Sequence, residues 1–194
     1  MTESAATAAW PTREQAWQLV QESTKSEPLR RHMLGVEAAM RAYAQRFGED
    51  PERWAVAGLL HDWDYEAHPT LAEHPQRGID QLREIGYPEE LLTDIASHAD
   101  HLGVPRDTRR RRALFAVDEL TGFITACALV KGRSLSAVEA RTVRKKMKDK
   151  AFARGVNRAD LVAGAEALRV DFDEHVAFVR DAMKPLASEL GLAP

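Results

Sequence analysis

The sequence predicts an all-helical protein, and three observations lead to that prediction. No segment alternates β-branched and polar residues between hairpin turns, so we find no candidate strand. Apolar residues instead recur at intervals of three and four. The clearest stripe consists of Leu29, Met33, Val36, Met40, Tyr43 and Phe47. Capping residues precede several such segments, and together these features predict a compact helical bundle with a C-terminal helical extension.

Capping signals place the first three helices. Thr12 and Gln15 have the spacing of a capping box, and Gly48 follows the second apolar stripe where a helix would end. Asp50 is a favoured N-cap residue, and Pro51 suits the first helical position. We predict helices over residues 12–20, 28–47 and 51–62, followed by a loop over 63–70.

The second half of the chain carries similar signals. Gly86 ends one predicted helix, Ser136 and Glu139 form a second capping-box pattern, and Asn157 and Asp171 are N-cap residues. We predict helices over 71–85, 88–102, 109–130, 136–148, 157–168 and 171–185. The basic run at the start of the 109–130 helix is interpreted as a solvated helix start.

Chain length and pattern predict one domain. The 194 residues are enough for a single well-formed core, and no internal repeat or low-complexity linker divides them. We expect a flexible tail over 1–11 and one helical domain over 12–194. Within it, the metal-binding core would cover about 28–131 and the C-terminal helices about 132–194.

Composition excludes several functions. A net charge of −3 offers no global basic field, so we expect neither nucleic acid nor an anionic membrane as a partner. Cys127 is the single cysteine, which rules out an internal disulfide and a thiolate metal cluster. No apolar run approaches the roughly 20 residues that span a bilayer. The N-terminus lacks the basic start of a signal peptide, and we expect a cytoplasmic protein.

The strongest chemical signal is the dipeptide His61-Asp62 at the end of an apolar helix. His32 lies along the edge of the buried stripe of the preceding helix, where it can reach a neighbouring helix. Asp118 falls in a helix that is apolar on most faces, and no basic residue three or four positions away can pair with it. A buried carboxylate needs a partner, so metal ligation is a good interpretation, with a distant arginine as the alternative.

Two more imidazoles extend this set. His98 borders the buried stripe of its predicted helix, whereas His101 points away from it. His74 precedes Gly78, whose missing side chain would let another group approach, and His68 is its rival.

Imidazole and carboxylate ligands suit Fe, Mn, Co, Ni or Zn better than Ca or Mg. We expect two ions bridged by Asp62, with His32, His61 and Asp118 on the first ion and His74 and His98 on the second.

Six residues in this order carry a family resemblance: His32, His61, Asp62, His74, His98 and Asp118. The order of the first histidine, the His-Asp pair and the later aspartate resembles the HD superfamily of metal-dependent phosphohydrolases. The two interposed histidines resemble its dinuclear branch. That branch includes the symmetric diadenosine tetraphosphatase and a few mixed-valent diiron oxygenases.

Two further segments, His74-Pro75 to Gly78 and Gly86-Tyr87-Pro88, resemble small bacterial HD hydrolases. One feature departs from the family. Many members carry a lysine a few residues after the His-Asp pair, where this chain has Asp64-Tyr65-Glu66. Roles of that lysine therefore cannot be transferred.

Other side chains are candidates for catalysis and substrate binding. Asp62 is expected to act in catalysis as well as ligation, and Asp64 or Glu66 could accept a proton from the attacking water. Lys145 and Lys148 could share a helix face and bind a phosphate, the alternative being a solvated face.

The resemblance implies hydrolysis of a phosphate ester or anhydride by metal-activated water, on a nucleotide or other small phosphorylated metabolite. A mixed-valent diiron oxygenase acting on a phosphonate or polyol would use the same ligands. A ligand-sensing domain that keeps the metal site as scaffold is a third possibility.

Overall fold

The computed structural model describes residues 9–192, and within them the chain is helical, without a strand. The fold class is therefore confirmed. The α-helices are α1 (Arg13–Ser23), α2 (Glu27–Phe47), α3 (Pro51–Leu60), α4 (Gln76–Glu84), α5 (Glu89–Ala96), α6 (Arg109–Leu129), α7 (Ala140–Met147), α8 (Arg158–Leu168) and α9 (Phe172–Met183). Short 3-10 turns cover Asp100–Leu102, Leu135–Ala137 and Lys184–Leu186. In the described part of the chain, none of these helices has the length and apolar composition that crossing a membrane requires.

The predicted caps of the first three helices are confirmed. Thr12 and Gln15 form both bonds of a capping box. The Asp50 side chain accepts from the backbone N–H groups of the first turn of α3. Gly48 ends α2 with φ of 68°, a left-handed conformation that glycine adopts without steric cost.

Two predicted helix starts are wrong. The helix expected from Leu71 begins only at Gln76, because Pro75 lacks an N–H and restricts the residue before it to non-helical conformations. His74 consequently lies in the turns that precede α4. The capping box expected at Ser136 does not form, and α7 starts later, after Glu139, whose side chain makes no capping bond.

The helix expected over 88–102 is also too long. It ends at Ala96, and Ser97 closes it with a backbone bond to Asp94. His98 follows in a turn rather than on the helix, and a separate 3-10 turn covers Asp100–Leu102.

Helix α2 is the centre of the fold and packs against α3, α6 and α9, while α8 packs on α6. Large side chains such as Tyr43, Trp54 and Phe123 are fully buried between these helices. Burial of such aromatic groups is a main source of stability in a domain of this size. The packing places one end of α3 between α2 and α6, where the polar site lies.

The start of the described chain is packed. Trp10 is partly buried, with the guanidinium groups of Arg53 and Arg110 at 5.3 and 5.0 Å from its ring centre. Pro11 is buried. These two residues of the predicted flexible tail therefore belong to the folded unit, and residues 1–8 lie outside the described residues.

A buried histidine connects the C-terminal helices to α2 and α6. The Tyr43 O–H donates to His175 Nδ1 at 2.6 Å, and His175 Nε2–H donates to the carbonyl of Ala116 at 3.0 Å. The His175 side chain is fully buried, and burial lowers its pKa to about 4. The imidazole is neutral in the folded protein and stabilises it by satisfying two buried polar groups.

Because the pKa of His175 is lowered on folding, we expect the protein to lose stability in acid. Its pKa of about 4 lies below the unfolded value of 6.5, so the unfolded chain binds the proton more strongly. The stabilisation is present above the unfolded pKa and declines as the pH falls toward the folded one. Between about pH 7 and pH 4.5, His175 should contribute a loss of roughly 2–3 kcal/mol.

Urea unfolding of the wild type and of His175→Gln at both pH values tests this, because glutamine can donate and accept but does not titrate. We expect the variant to lose less stability than the wild type between the two pH values. An identical pH dependence would show that His175 does not govern it.

Candidate metal centre

The six predicted ligands converge from five segments of the fold. One lies on α2, two follow the last residue of α3, one precedes α4, one follows α5 and one lies on α6: His32, His61, Asp62, His74, His98 and Asp118. The side chains form two groups of three residues. Within each group, the three candidate ligand atoms lie within 4.8 Å of one another. The groups are His32, His61 and Asp62, and Asp62, His74 and His98.

The Asp62 carboxylate lies between the two groups and offers one oxygen to each. Its Oδ2 is 3.6 Å from His32 Nε2 and 3.4 Å from His61 Nε2. Its Oδ1 is 3.2 Å from His74 Nε2 and 3.5 Å from His98 Nε2. This is the arrangement expected of a carboxylate that bridges two cations.

Asp118 completes the first group. Its Oδ1 lies 3.0 Å from His32 Nε2 and 3.4 Å from His61 Nε2. The side chains expected to share an ion therefore lie close together, and their binding of two ions stays a prediction.

Backbone carbonyls orient two of the imidazoles. His61 Nδ1–H donates to the carbonyl of Gly58 at 2.7 Å, and His98 Nδ1–H donates to that of Ile95 at 2.6 Å. A carbonyl can only accept, so Nδ1 carries a proton, and in the neutral ring Nε2 keeps its lone pair. Histidines that bind metals are commonly oriented by such a bond on their other nitrogen.

His74 has the same tautomer for a different reason. Its Nδ1–H donates to Asp64 Oδ1 at 2.8 Å, and its Nε2 then faces His98 Nε2 at 3.1 Å. When both rings are neutral, each with its proton on Nδ1, two lone pairs point toward each other and cannot form a hydrogen bond. A cation relieves this repulsion, and this donor set fits a divalent transition metal.

Asp64 holds the His74 ring in place and is itself held by the backbone of α4. Its Oδ2 accepts from the Gly78 N–H at 2.9 Å, and the residue is 2% exposed. A Cβ on Gly78 would lie 2.5 Å from Asp64 Cγ, so only glycine allows this approach. Both carboxylate oxygens already accept bonds from the protein. Asp64 therefore orients His74, and its expected role as proton acceptor stays a prediction.

Glu66, its predicted alternative, is also engaged elsewhere. Its Oε2 accepts from the backbone N–H groups of Lys25 and Ser26 just before α2, at 2.9 and 2.7 Å.

The site is electrostatically prepared for cations. Burial disfavours the charged forms of Asp62 and His61, but their mutual attraction outweighs it. The pKa of Asp62 falls well below its usual range, and that of His61, which also faces Asp118, rises well above it. Burial likewise lowers the pKa of His74, yet bonds to Asp62 and Asp64 raise it to about 9. The carboxylates thus favour positive charge at this position.

The opening of the centre lies beside His32 and Asp118. Their side chains are 22% and 21% exposed, whereas that of His61 is fully buried. The rival ligands are elsewhere. His101 is exposed on a 3-10 turn, and His68 lies 3.9 Å from Glu73. Within residues 9–192, neither contacts the ligand set by a hydrogen bond or ion pair.

Lys145 and Lys148 are not brought to the centre by any contact in the described chain. Both are exposed, at the end of α7, and Lys145 lines a surface cavity with Val130 and Lys131. No hydrogen bond or ion pair in residues 9–192 joins them to a ligand, and their role in substrate binding stays a prediction.

Comparison with known proteins adds one finding. The family model of the HD domain matches residues 29–165, more than half of the chain, and this range contains all six candidate ligands. Searches of curated proteins and of solved structures found no match.

Proposed function

Because the chain belongs to the HD domain family, we propose that it is a metal-dependent phosphohydrolase that cleaves a phosphate ester or anhydride. The substrate would be a nucleotide or another small phosphorylated metabolite. The observation that carries this proposal is the Asp62 carboxylate, which faces one imidazole pair with each of its oxygens.

The ligand set supports a centre of two ions. His32, His61 and Asp118 would hold one, His74 and His98 the other, and Asp62 both. Four imidazole nitrogens and two carboxylates favour Fe, Mn, Co, Ni or Zn. Such ions would lower the pKa of a water and offset negative charge on the phosphoryl oxygens.

The chain's own residues supply position and access. Asp64 orients His74, and backbone carbonyls orient His61 and His98. Ordered partners of this kind keep ligands in place, and their loss typically lowers metal affinity about 10- to 100-fold. The partly exposed edge at His32 and Asp118 gives a phosphate group a route to the centre.

A diiron oxygenase would use the same six ligands, so the deciding experiment must separate the two reactions. Protein purified without chelators is analysed for metal and then loaded with Mn, Co, Zn or Fe. Phosphate release from nucleotides and sugar phosphates is measured with and without oxygen. We expect release that persists without oxygen and without iron. Turnover that requires both iron and oxygen would overturn hydrolysis.

Two histidine variants provide a matched control for the number of ions. His98→Ala should remove about one metal equivalent, because His98 belongs to the second ligand group. His101→Ala should leave the metal content unchanged, because His101 lies outside both groups.

A further inference from the structure

A cavity of about 390 Å³ adjoins the metal centre on the far side of the His32 ring. Pro28 on α2 and Thr125 and Leu129 on α6 line its walls. None of these side chains is a candidate ligand, and the proposed chemistry does not use them. The cavity shares only His32 with the ligand set.

The cavity continues the face of α6 that carries the ligand. Asp118, Gly122, Thr125 and Leu129 are spaced by four, three and four residues, so they share one side of the helix. A Cβ on Gly122 would meet only His32 Nδ1, at 4.0 Å, so the space between this part of α6 and the His32 ring is not crowded. From Asp118 to Thr125 the helix rises about 10 Å, which is the length of a small organic group.

Two guanidinium groups, those of Arg31 and Arg133, line the cavity beside Gly191. Arg133 donates to the carbonyl of Gly191 at 3.4 Å. A Cβ on Gly191 would lie 2.7 Å from Arg31 Nη1, so glycine makes room for that guanidinium. Arg31 has a carboxylate partner in Glu27, which is itself 71% exposed. Arg133 forms no ion pair with any residue in 9–192, so within the described chain no carboxylate balances its charge.

We propose that this cavity binds the organic body of a substrate that carries two anionic groups. The phosphate would lie at the metal centre, and a carboxylate or second phosphate would lie at Arg31 and Arg133. Guanidinium groups bind such anions through charge-assisted hydrogen bonds. The assignment of the first anion rests on the proposed function, whereas the second subsite rests on the cavity alone.

Binding of non-hydrolysable probes to the Mn-loaded protein tests the proposal by calorimetry. The probes are inorganic phosphate, a biphenyl phosphonate, and the same phosphonate with a carboxylate at its far end. We expect the carboxylate to tighten binding about tenfold, the effect of one charge-assisted bond. Arg133→Gln should abolish that gain and leave binding of the phosphonate without the carboxylate unchanged. Arg141→Gln, at an 83% exposed position on α7, is the matched control and should keep the gain.

A second pair of variants tests the walls. Thr125→Phe should fill the cavity and weaken both biphenyl probes about tenfold or more, without affecting inorganic phosphate. Val130→Phe, at the residue that follows α6 and outside the cavity, should have no effect. If Thr125→Phe lowers the temperature of thermal unfolding, the Arg133 variant becomes the deciding test, because Arg133 is exposed.

The proposal is overturned if the carboxylate gives no gain in the wild type, or if Arg133→Gln retains the gain. No probe is hydrolysed, so the result does not depend on turnover. A preference for the carboxylated probe in a protein without phosphate release would refute the proposed function and uphold the second subsite.

Discussion

Replacing Asp62 by alanine is expected to remove both metal ions and to lower phosphate release at least about a thousandfold, because several kcal/mol of charge stabilisation would be lost. Among residues 9–192, Asp62 alone has oxygens close to both imidazole pairs, at 3.2 to 3.6 Å from four Nε2 atoms. Its removal would also leave those nitrogens without a neutralising charge between them. Elemental analysis of the purified variant, followed by the phosphate-release assay, measures both effects.

Two comparisons make the result interpretable. Asp80→Ala removes a 47% exposed carboxylate that pairs with Arg83, and this variant should retain two ions. His74→Ala should lose one ion, because His74 belongs to one ligand group only. If Asp62→Ala keeps two ions or loses just one, the carboxylate does not bridge.

Replacing Asp94 by alanine is expected to cost about 3–5 kcal/mol of folding free energy, the usual effect of removing one partner from a buried ion pair. Asp94 is fully buried on α5, and its oxygens accept from Arg110 Nε at 2.5 Å and from Arg111 Nε at 3.1 Å. Arg110 is itself only 9% exposed, so its charge would lose a buried partner and keep Glu90 alone. Urea unfolding at neutral pH measures the loss.

The control is an exposed carboxylate that pairs with an arginine of the same basic run. Asp107 is 68% exposed and accepts from Arg111 at 2.9 Å. Asp107→Ala should cost less than about 1 kcal/mol, because solvent already screens that pair. Equal losses in the two variants would show that burial does not decide the energy of these pairs.

The Asp94 pair also shows where sequence reasoning failed. Arg109 to Arg112 is a basic run at a helix start, and the sequence predicts it to be solvated. The structure instead buries Arg110 against a carboxylate sixteen residues away. Such a partner is fixed by packing of α5 on α6, and no local spacing indicates it.

Helix boundaries were predictable where the cause is local. Thr12, Asp50, Asn157 and Asp171 act through side-chain bonds to nearby backbone N–H groups, and all four caps form. The start at Gln76 was missed because the apolar pattern extends upstream past a proline. Apolar periodicity alone does not indicate that a proline prevents the helix from extending to the residues before it.

The candidate site also has features that the sequence predicts and features that depend on tertiary packing. The convergence of the six candidate ligands could be predicted, because buried imidazoles and carboxylates without local partners are favoured beside a cation. The role of Asp64 could not, because it depends on a bond to His74 and on the space left by Gly78. The cavity beyond His32 was also missed, since it depends on how Gly191 packs beside Arg31.

The bond from His175 to Ala116 has a consequence for the boundaries of the folding unit. The HD match ends at residue 165, yet this histidine on α9 satisfies a carbonyl two residues before Asp118. A fragment cut at the end of the match would leave that carbonyl and the Tyr43 hydroxyl without their partner in the core. The folded unit therefore extends beyond the end of the family match. A minimal functional fragment must retain α9, because α9 supports the ligand-bearing helix α6.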